Sequence, residues 1–320
     1  MKDGFGRSID YMRISVTDRC DLRCKYCMPE EGIKKVDKSK ILNYEEIMRV
    51  CSVAIELGIN KFKITGGEPL VRYDLMKLLR GMKALPGCEE VTMTTNGQLL
   101  PQYIDEIADI GIDGINISLD TLKPERYRDI TRVGDLSKTL EAIDLCIEKG
   151  IKTKLNCLLQ KDFNEDEIKD LTDFALGKDI DIRFIELMPI GVADAERGLS
   201  NEETMHCIKD IYPEIQEDHR KHGNGPAVYY KVPGKGGSIG LISAVHDSFC
   251  ESCNRIRLTS MGYIKPCLCY EEGVFIRPYL EKEDDELRQV FKEIIKFKPA
   301  RHCFENVRAV DHSAMAIIGG

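Results

Sequence analysis

The chain has 320 residues, 42% of them apolar, with 46 basic against 54 acidic side chains and a formal charge of −8. This excludes a disordered chain and offers no basic run for nucleic acid; a polyanionic ligand would need local cations to overcome the net field. No apolar run approaches the ~18 residues of a membrane span.

Met1–Met12 is polar and lacks the apolar core of a secretory signal, so a cytoplasmic protein is expected. There the 13 cysteines are metal ligands or buried small side chains rather than disulfides.

From Tyr11 to Glu186 short β-rich runs alternate with helical patterns. The runs are Tyr11–Val16, Lys61–Thr65, Glu90–Thr94, Gly114–Leu119, Thr153–Leu159 and Asp181–Glu186. Asn43–Leu57 is the clearest helix: Asn43 can cap, Glu46 stands three residues on, and Ile47, Val50, Cys51 and Ala54 form a stripe before Gly58. Leu136–Lys149 repeats the pattern with Leu136, Leu140, Ile143 and Ile147, and stops at Gly150. Six β/α units in series predict an α/β fold with a parallel sheet, open or curved into a partial barrel.

Parallel strands covered by helices should be apolar on both faces. Here Arg13 and Ser15 alternate with Met12, Ile14 and Val16; Lys61, Lys63 and Thr65 with Phe62 and Ile64; Asn116, Ser118 and Asp120 with Ile115, Ile117 and Leu119; Lys154 and Asn156 with Leu155 and Cys157. One reading is a set of half-exposed antiparallel strands, which the intervening helices oppose. The other is a curved sheet whose inner face is a polar, cationic cavity fit for an anion. A closed eight-stranded barrel fills its lumen with branched apolar side chains, so a polar lumen points to a partial (β/α)6 barrel.

After Glu186 the composition shifts. A helical stretch at Asn201–Ile211 precedes a glycine-rich region, His222 to Gly240, with β-like runs at Val228–Val232 and Ser238–Ser243; another helical stretch covers Asp284–Phe297. Two units are expected, residues 1–189 and a smaller C-terminal extension, 190–320.

Directly after the first run, Cys20, Cys24 and Cys27 stand at the spacing C-x3-C-x2-C, with Tyr26 before the last. Three thiolates on one loop can hold three irons of a [4Fe–4S] cluster and leave the fourth open; a zinc site short of a ligand is the alternative. Thr65-Gly66-Gly67-Glu68-Pro69 follows the second run, its glycines allowing close backbone approach. Together these motifs resemble the radical S-adenosylmethionine (SAM) superfamily. That resemblance implies that the open iron takes the SAM amino and carboxylate groups and that an electron from the cluster yields a 5′-deoxyadenosyl radical. It assigns Tyr26, Gly66, Gly67, Glu68, Ser118 (ribose) and Met188 (adenine) to cofactor binding.

A second group, Cys250, Cys253 and Cys267, again provides three thiolates; Cys269 as a fourth would close a structural zinc site. Between them Arg255 and Arg257 lie on one strand face, and guanidinium forks match phosphate oxygens. The pattern Cys-x2-Cys-Asn-Arg-x-Arg-Leu-Thr with Cys267 thirteen residues beyond Cys253, the start Asp3-Gly4-Phe5-Gly6-Arg7 and the end Gly319-Gly320 resemble the GTP 3′,8-cyclase family of molybdenum cofactor biosynthesis.

That resemblance implies two [4Fe–4S] clusters, on Cys20, Cys24, Cys27 and on Cys250, Cys253, Cys267, with SAM as cosubstrate and guanine bound at the open iron of the second cluster. Arg13, Lys61, Lys63, Thr94, Lys154, Arg183, Arg255 and Arg257 would bind GTP; Arg255, Arg257, Gly319 and Gly320 would act in catalysis. The radical would take the C3′ hydrogen of GTP, and C3′ would join C8 to give 3′,8-cyclo-7,8-dihydro-GTP. An external electron donor, a cyclic pyranopterin monophosphate synthase receiving the product, and a homodimer are the family expectations. Lys63 stands where arginine is usual and Asp21 where asparagine is. Cys51, Cys88, Cys146, Cys157, Cys207, Cys269 and Cys303 are left as buried filler. A radical SAM peptide-modifying enzyme would carry more cluster cysteines and no arginine pair with a diglycine tail. A zinc or electron-carrier module would have no use for the Gly-Gly-Glu-Pro element.

Overall fold

Six β/α units open the chain, in a computed structural model that describes residues 1–34, 36–246, 249–304 and 310–319. They are β1 (Tyr11–Ser15), α1 (Tyr44–Glu56), β2 (Lys61–Thr65), α2 (Leu75–Ala84), β3 (Glu90–Thr95), α3 (Ile104–Ile110), β4 (Gly114–Ser118), α4 (Pro124–Thr131), α5 (Leu136–Glu148), β5 (Thr153–Leu158), α6 (Ile168–Gly177) and β6 (Asp181–Ile185). Each expected strand is present to within one residue at either end. Capping fixes where α1 starts: Asn43 Oδ1 accepts from the Glu46 N–H at 2.8 Å, and Glu46 accepts from the Asn43 N–H at 2.7 Å.

β1 to β6 are parallel neighbours in sequence order, which removes the antiparallel alternative. Their apolar residues, among them Ile14, Phe62, Ile64, Met93, Ile117 and Leu155, are buried in one hydrophobic core. The alternate residues are thereby turned inward, as the period of two requires.

The C-terminal segment does not fold apart. After α7 (Asn201–Ile211) come β7 (Gln216–Glu217), β8 (Val228–Lys231) and β9 (Ile239–Ile242), and β9 lies parallel beside β6. β10 (Arg255–Leu258) lies parallel beside β1 and carries β11 (Tyr263–Lys265) and β12 (Val274–Phe275) antiparallel on its far side. The sheet thus runs across the boundary expected at residue 189 and extends the barrel at both edges, in the order β12-β11-β10-β1-β2-β3-β4-β5-β6-β9-β8-β7. The two edges do not pair, so the barrel is partial. α8 (Asp284–Lys296) packs on α1, burying Leu287, Val290, Phe291, Ile294 and Ile295, and α9 (Met315–Ile318) is the last described element, followed by Gly319. Among the described residues no helix is long and apolar enough to cross a membrane.

Candidate active site

Register converts the alternating polar residues into rows. Arg257, Arg13, Lys63 and Thr92 are consecutive partners across β10, β1, β2 and β3. Thr94, Asn116 and Lys154 are partners across β3, β4 and β5, and Asn156 and Arg183 across β5 and β6. All of these line one cavity of about 900 Å³.

Among the described residues no carboxylate pairs with Lys63, Arg183 or Arg257. Burial, then Arg183, Arg13 and Lys154, holds the Lys63 pKa well below the usual ammonium value. Burial, then Arg13 and Arg255, does the same to Arg257. Lys154 is brought down to about 8 by burial and by Arg183, against the opposing pull of Asp181. Nε and Nη2 of Arg183 are buried without a hydrogen-bond partner. Cations gathered on one wall, with donors of Arg183 unused, suit a polyanion in charge and in hydrogen-bonding capacity.

The end of the cavity near β7 and β8 escaped sequence reasoning. Lys154 donates to the His222 carbonyl, and to the Tyr229 hydroxyl at 3.0 Å, and pairs with Asp181 at 3.1 Å. His222 stacks on Tyr229 with ring centroids 3.9 Å apart, and its ring nitrogens face Asp181 at 2.8 Å and Asp218 at 3.0 Å. The glycine-rich stretch carried no chemical motif. Only the pairing of β8 with β9 brings it against β5.

Cys20, Cys24 and Cys27 border the cavity at the C-terminal end of β1. The Gly-Gly-Glu-Pro element, which follows β2, packs against that loop: Gly67 N–H donates to Thr17 O and Glu68 N–H to Arg19 O, both at 2.7 Å. A Cβ on Gly67 would stand 2.3 Å from the Arg19 carbonyl oxygen, so only glycine permits this approach. Glu68 is buried and accepts from Leu70 N–H, Thr95 Oγ1 and Asn96 N–H; burial nevertheless pushes its carboxyl up to about 7. The Tyr26 hydroxyl donates to Asp120 at 2.7 Å, whose carboxyl burial raises to about 6. Asp21 accepts from Asn96 Nδ2 at 2.7 Å. Ser118 and Met188 line the same cavity.

Cys250, Cys253 and Cys267 border it too, beside Arg255. Burial works to raise the Cys253 thiol, but Arg255 and Lys298 outweigh it and bring it down to about 7. Lys298, which no motif marked, is buried and donates to Pro266 O at 2.5 Å. The C-terminal tail completes the wall: Gly319 O accepts from Arg257 Nη1 at 2.6 Å. Gly319 has φ +90, and a Cβ there would stand 2.6 Å from Ser15 Cβ.

Residues 14–175 match the model of the Radical SAM superfamily, and residues 180–304 match Molybdenum Cofactor Synthesis C. The chain is 43% identical over 323 residues to the GTP 3′,8-cyclase of Clostridium perfringens (strain SM101 / Type A), covering 100% of both chains. It is 42% identical over 325 residues to that of Alkaliphilus oremlandii (strain OhILAs), again covering 100% of both.

The chain belongs to the GTP 3′,8-cyclase family.

The fold agrees. Streptococcus suis SuiB bound to S-adenosylmethionine superposes with a TM-score of 0.68 at 17% identity, covering 89% of this chain and 66% of that one; at that identity the likeness concerns the fold alone.

The residues present fit the groups a cyclase of this family carries. Each cysteine trio faces the cavity. Among the described residues no three or more His, Cys, Asp or Glu side chains converge tightly enough to clasp a single metal ion; the thiolates of an iron–sulfur cube are spread more widely than that. Cys269 does not join Cys250, Cys253 and Cys267 as a fourth ligand, because its sulfur lies against Cys303 at 2.7 Å.

Lys61 departs from expectation. It is absent from the cavity wall and pairs with Asp10 at 2.5 Å, because it opens β2 below the row of Lys63. Gly320 lies outside the described residues. Of the cysteines expected as filler, Cys51, Cys146 and Cys157 are fully buried, while Cys88 and Cys207 are half-buried against the core.

Proposed function

We propose that this chain converts GTP to 3′,8-cyclo-7,8-dihydro-GTP, an early step of molybdenum cofactor biosynthesis, with SAM and two [4Fe–4S] clusters. The observation that carries this is the cationic row Arg257–Arg13–Lys63, with Lys154 and Arg183 facing it, set between the two cysteine trios. When bound, SAM and the clusters supply the one-electron chemistry that removes hydrogen from C3′ and lets C3′ join C8.

The chain's own residues bind and orient. Lys63, Lys154 and Arg183 hold the triphosphate, with Thr94 beside them. Arg255 and Arg257 complete the grip next to the second trio, so that the base is presented to Cys250, Cys253 and Cys267 while the sugar points toward the first trio. Gly66 and Gly67 let backbone approach SAM, Glu68 holds that loop rigid through its three donors, and Tyr26, Ser118 and Met188 flank the nucleoside. Gly319, whose carbonyl accepts from Arg257, acts in the reaction together with Gly320. Residues 1–189 supply the SAM site and residues 190–320 the second cluster and the tail.

An external electron donor, transfer of the product to a cyclic pyranopterin monophosphate synthase, a homodimeric state and a cytoplasmic location complete the reading. The test is 5′-deoxyadenosine formation by the reduced, anaerobically reconstituted protein with SAM, with and without GTP. Strong dependence on GTP, with a product that keeps the GTP mass, is expected. Equal formation without GTP would refute the substrate.

A further inference from the structure

Two cysteines outside the cluster motifs meet across the fold. Cys269 and Cys303 are 34 residues apart in sequence, yet their sulfurs lie 2.7 Å from each other, and the Cys303 N–H donates to the Cys269 sulfur at 3.0 Å. Cys269 is buried and Cys303 half-exposed, in an apolar cluster with Ile190, Val310 and Ile318.

Their surroundings tie them to the tail. The Cys269 carbonyl accepts from the Asp311 N–H at 2.7 Å, Tyr270 bridges Val310, and the buried Lys265 pairs with Asp311. Cys269 also follows Cys267 by two positions. The pair thus sits between the second cysteine trio and the segment that delivers Gly319 to Arg257.

We propose that Cys269 and Cys303 form a redox-active thiol pair, a modification site that closes to a disulfide beside the second cluster. The oxidant is a low-molecular-weight disulfide such as glutathione disulfide. The more exposed Cys303 sulfur attacks it, releasing one thiol and leaving a mixed disulfide. The Cys269 sulfur then displaces the second thiol. The protein loses two electrons and two protons, and the oxidant takes both as its S–S bond becomes two S–H bonds. Proximity alone sets the partner, since a disulfide needs sulfurs that can meet without backbone movement. Closure leaves Cys250, Cys253 and Cys267 with the iron.

The experiment treats the iron-loaded protein anaerobically with glutathione disulfide, alkylates and digests it, maps the peptides by mass, and counts iron in parallel. The expected result is a Cys269–Cys303 linked peptide, lost on adding dithiothreitol, with the iron content retained. Cys303→Ser should abolish the linked peptide and Cys207→Ser should leave it. Absence of the link at every oxidant concentration that leaves iron bound would overturn the proposal; so would Cys269 linked instead to Cys250, Cys253 or Cys267 as iron departs. The readout is sulfur chemistry in the wild-type protein, so its failure leaves the GTP reaction untouched.

Discussion

The Arg257 guanidinium donates to the carbonyl of Gly319 at 2.6 Å, so a cavity-facing arginine of β10 also holds the C-terminal tail. Gly319 lies so close to Ser15 that any side chain must push one of them away. Gly319→Ala should therefore dislodge the tail from the cavity. The expected outcome is loss of cyclised product by tenfold or more, with slow GTP-independent 5′-deoxyadenosine formation persisting and the melting temperature unchanged. Product formation at the wild-type rate would separate the tail from the reaction.

Arg257→Ala removes the tail contact and, with it, the charged donor proposed for the phosphates. A charge-assisted hydrogen bond contributes about 1.5–3 kcal/mol, so GTP affinity should fall roughly ten- to a hundredfold. Equilibrium dialysis measures this directly. Unchanged affinity would mean that Arg257 does not touch the triphosphate.

The depressed cations predict a pH dependence with a definite sign. In the free cavity burial and like charge favour the neutral form of Lys154, whose pKa is about 8, and of Lys63, which is lowered in the same direction. A bound polyanion favours the charged form, so binding takes up protons and GTP affinity should decline as pH rises through about 8. Lys63→Arg keeps its charge over this range and presents a fork to the phosphate. It should bind GTP more tightly and show a flatter pH profile. A steeper or unchanged profile would remove Lys63 from the phosphate grip.

Gly67→Ala places a methyl group 2.3 Å from the Arg19 carbonyl oxygen. Overpacking of this kind costs about 1–3 kcal/mol, and here it must shift either the Gly-Gly-Glu-Pro loop or the first cysteine loop. SAM affinity should drop about tenfold while GTP affinity holds. Isothermal titration with each ligand distinguishes this from general unfolding, which would lower both.

Cys24→Ala takes one of three thiolates from the first trio. SAM cleavage should vanish altogether and bound iron should fall by about half, because the second trio is untouched. Residual cleavage above background would show that Cys24 is not required to hold the first cluster.

Much of this was legible in the chain itself. The period of two along β1, β2, β4 and β5 marked Arg13, Lys63 and Lys154 as facing inward, and helices between the strands implied parallel pairing. Local rules suffice there, because side-chain alternation and capping depend on near neighbours in sequence. The same is true of the first cysteine trio, whose spacing is a property of one loop; Cys267 reaches Cys250 and Cys253 only through the antiparallel pairing of β10 with β11. Tertiary structure alone decided the rest. Lys61 shares the alternation of Lys63 yet is claimed by Asp10, a residue reached only through the β1–β2 register. His222, Tyr229 and Lys298 reach the cavity because distant strands and helices bring them there, and no spacing records such contacts. The sheet joins β10 to β1 and β9 to β6 because open parallel edges leave backbone donors and acceptors unpaired. That edge pairing sets the second trio and Gly319 against a wall built by the first strands, a juxtaposition that long-range pairing determines and local sequence does not.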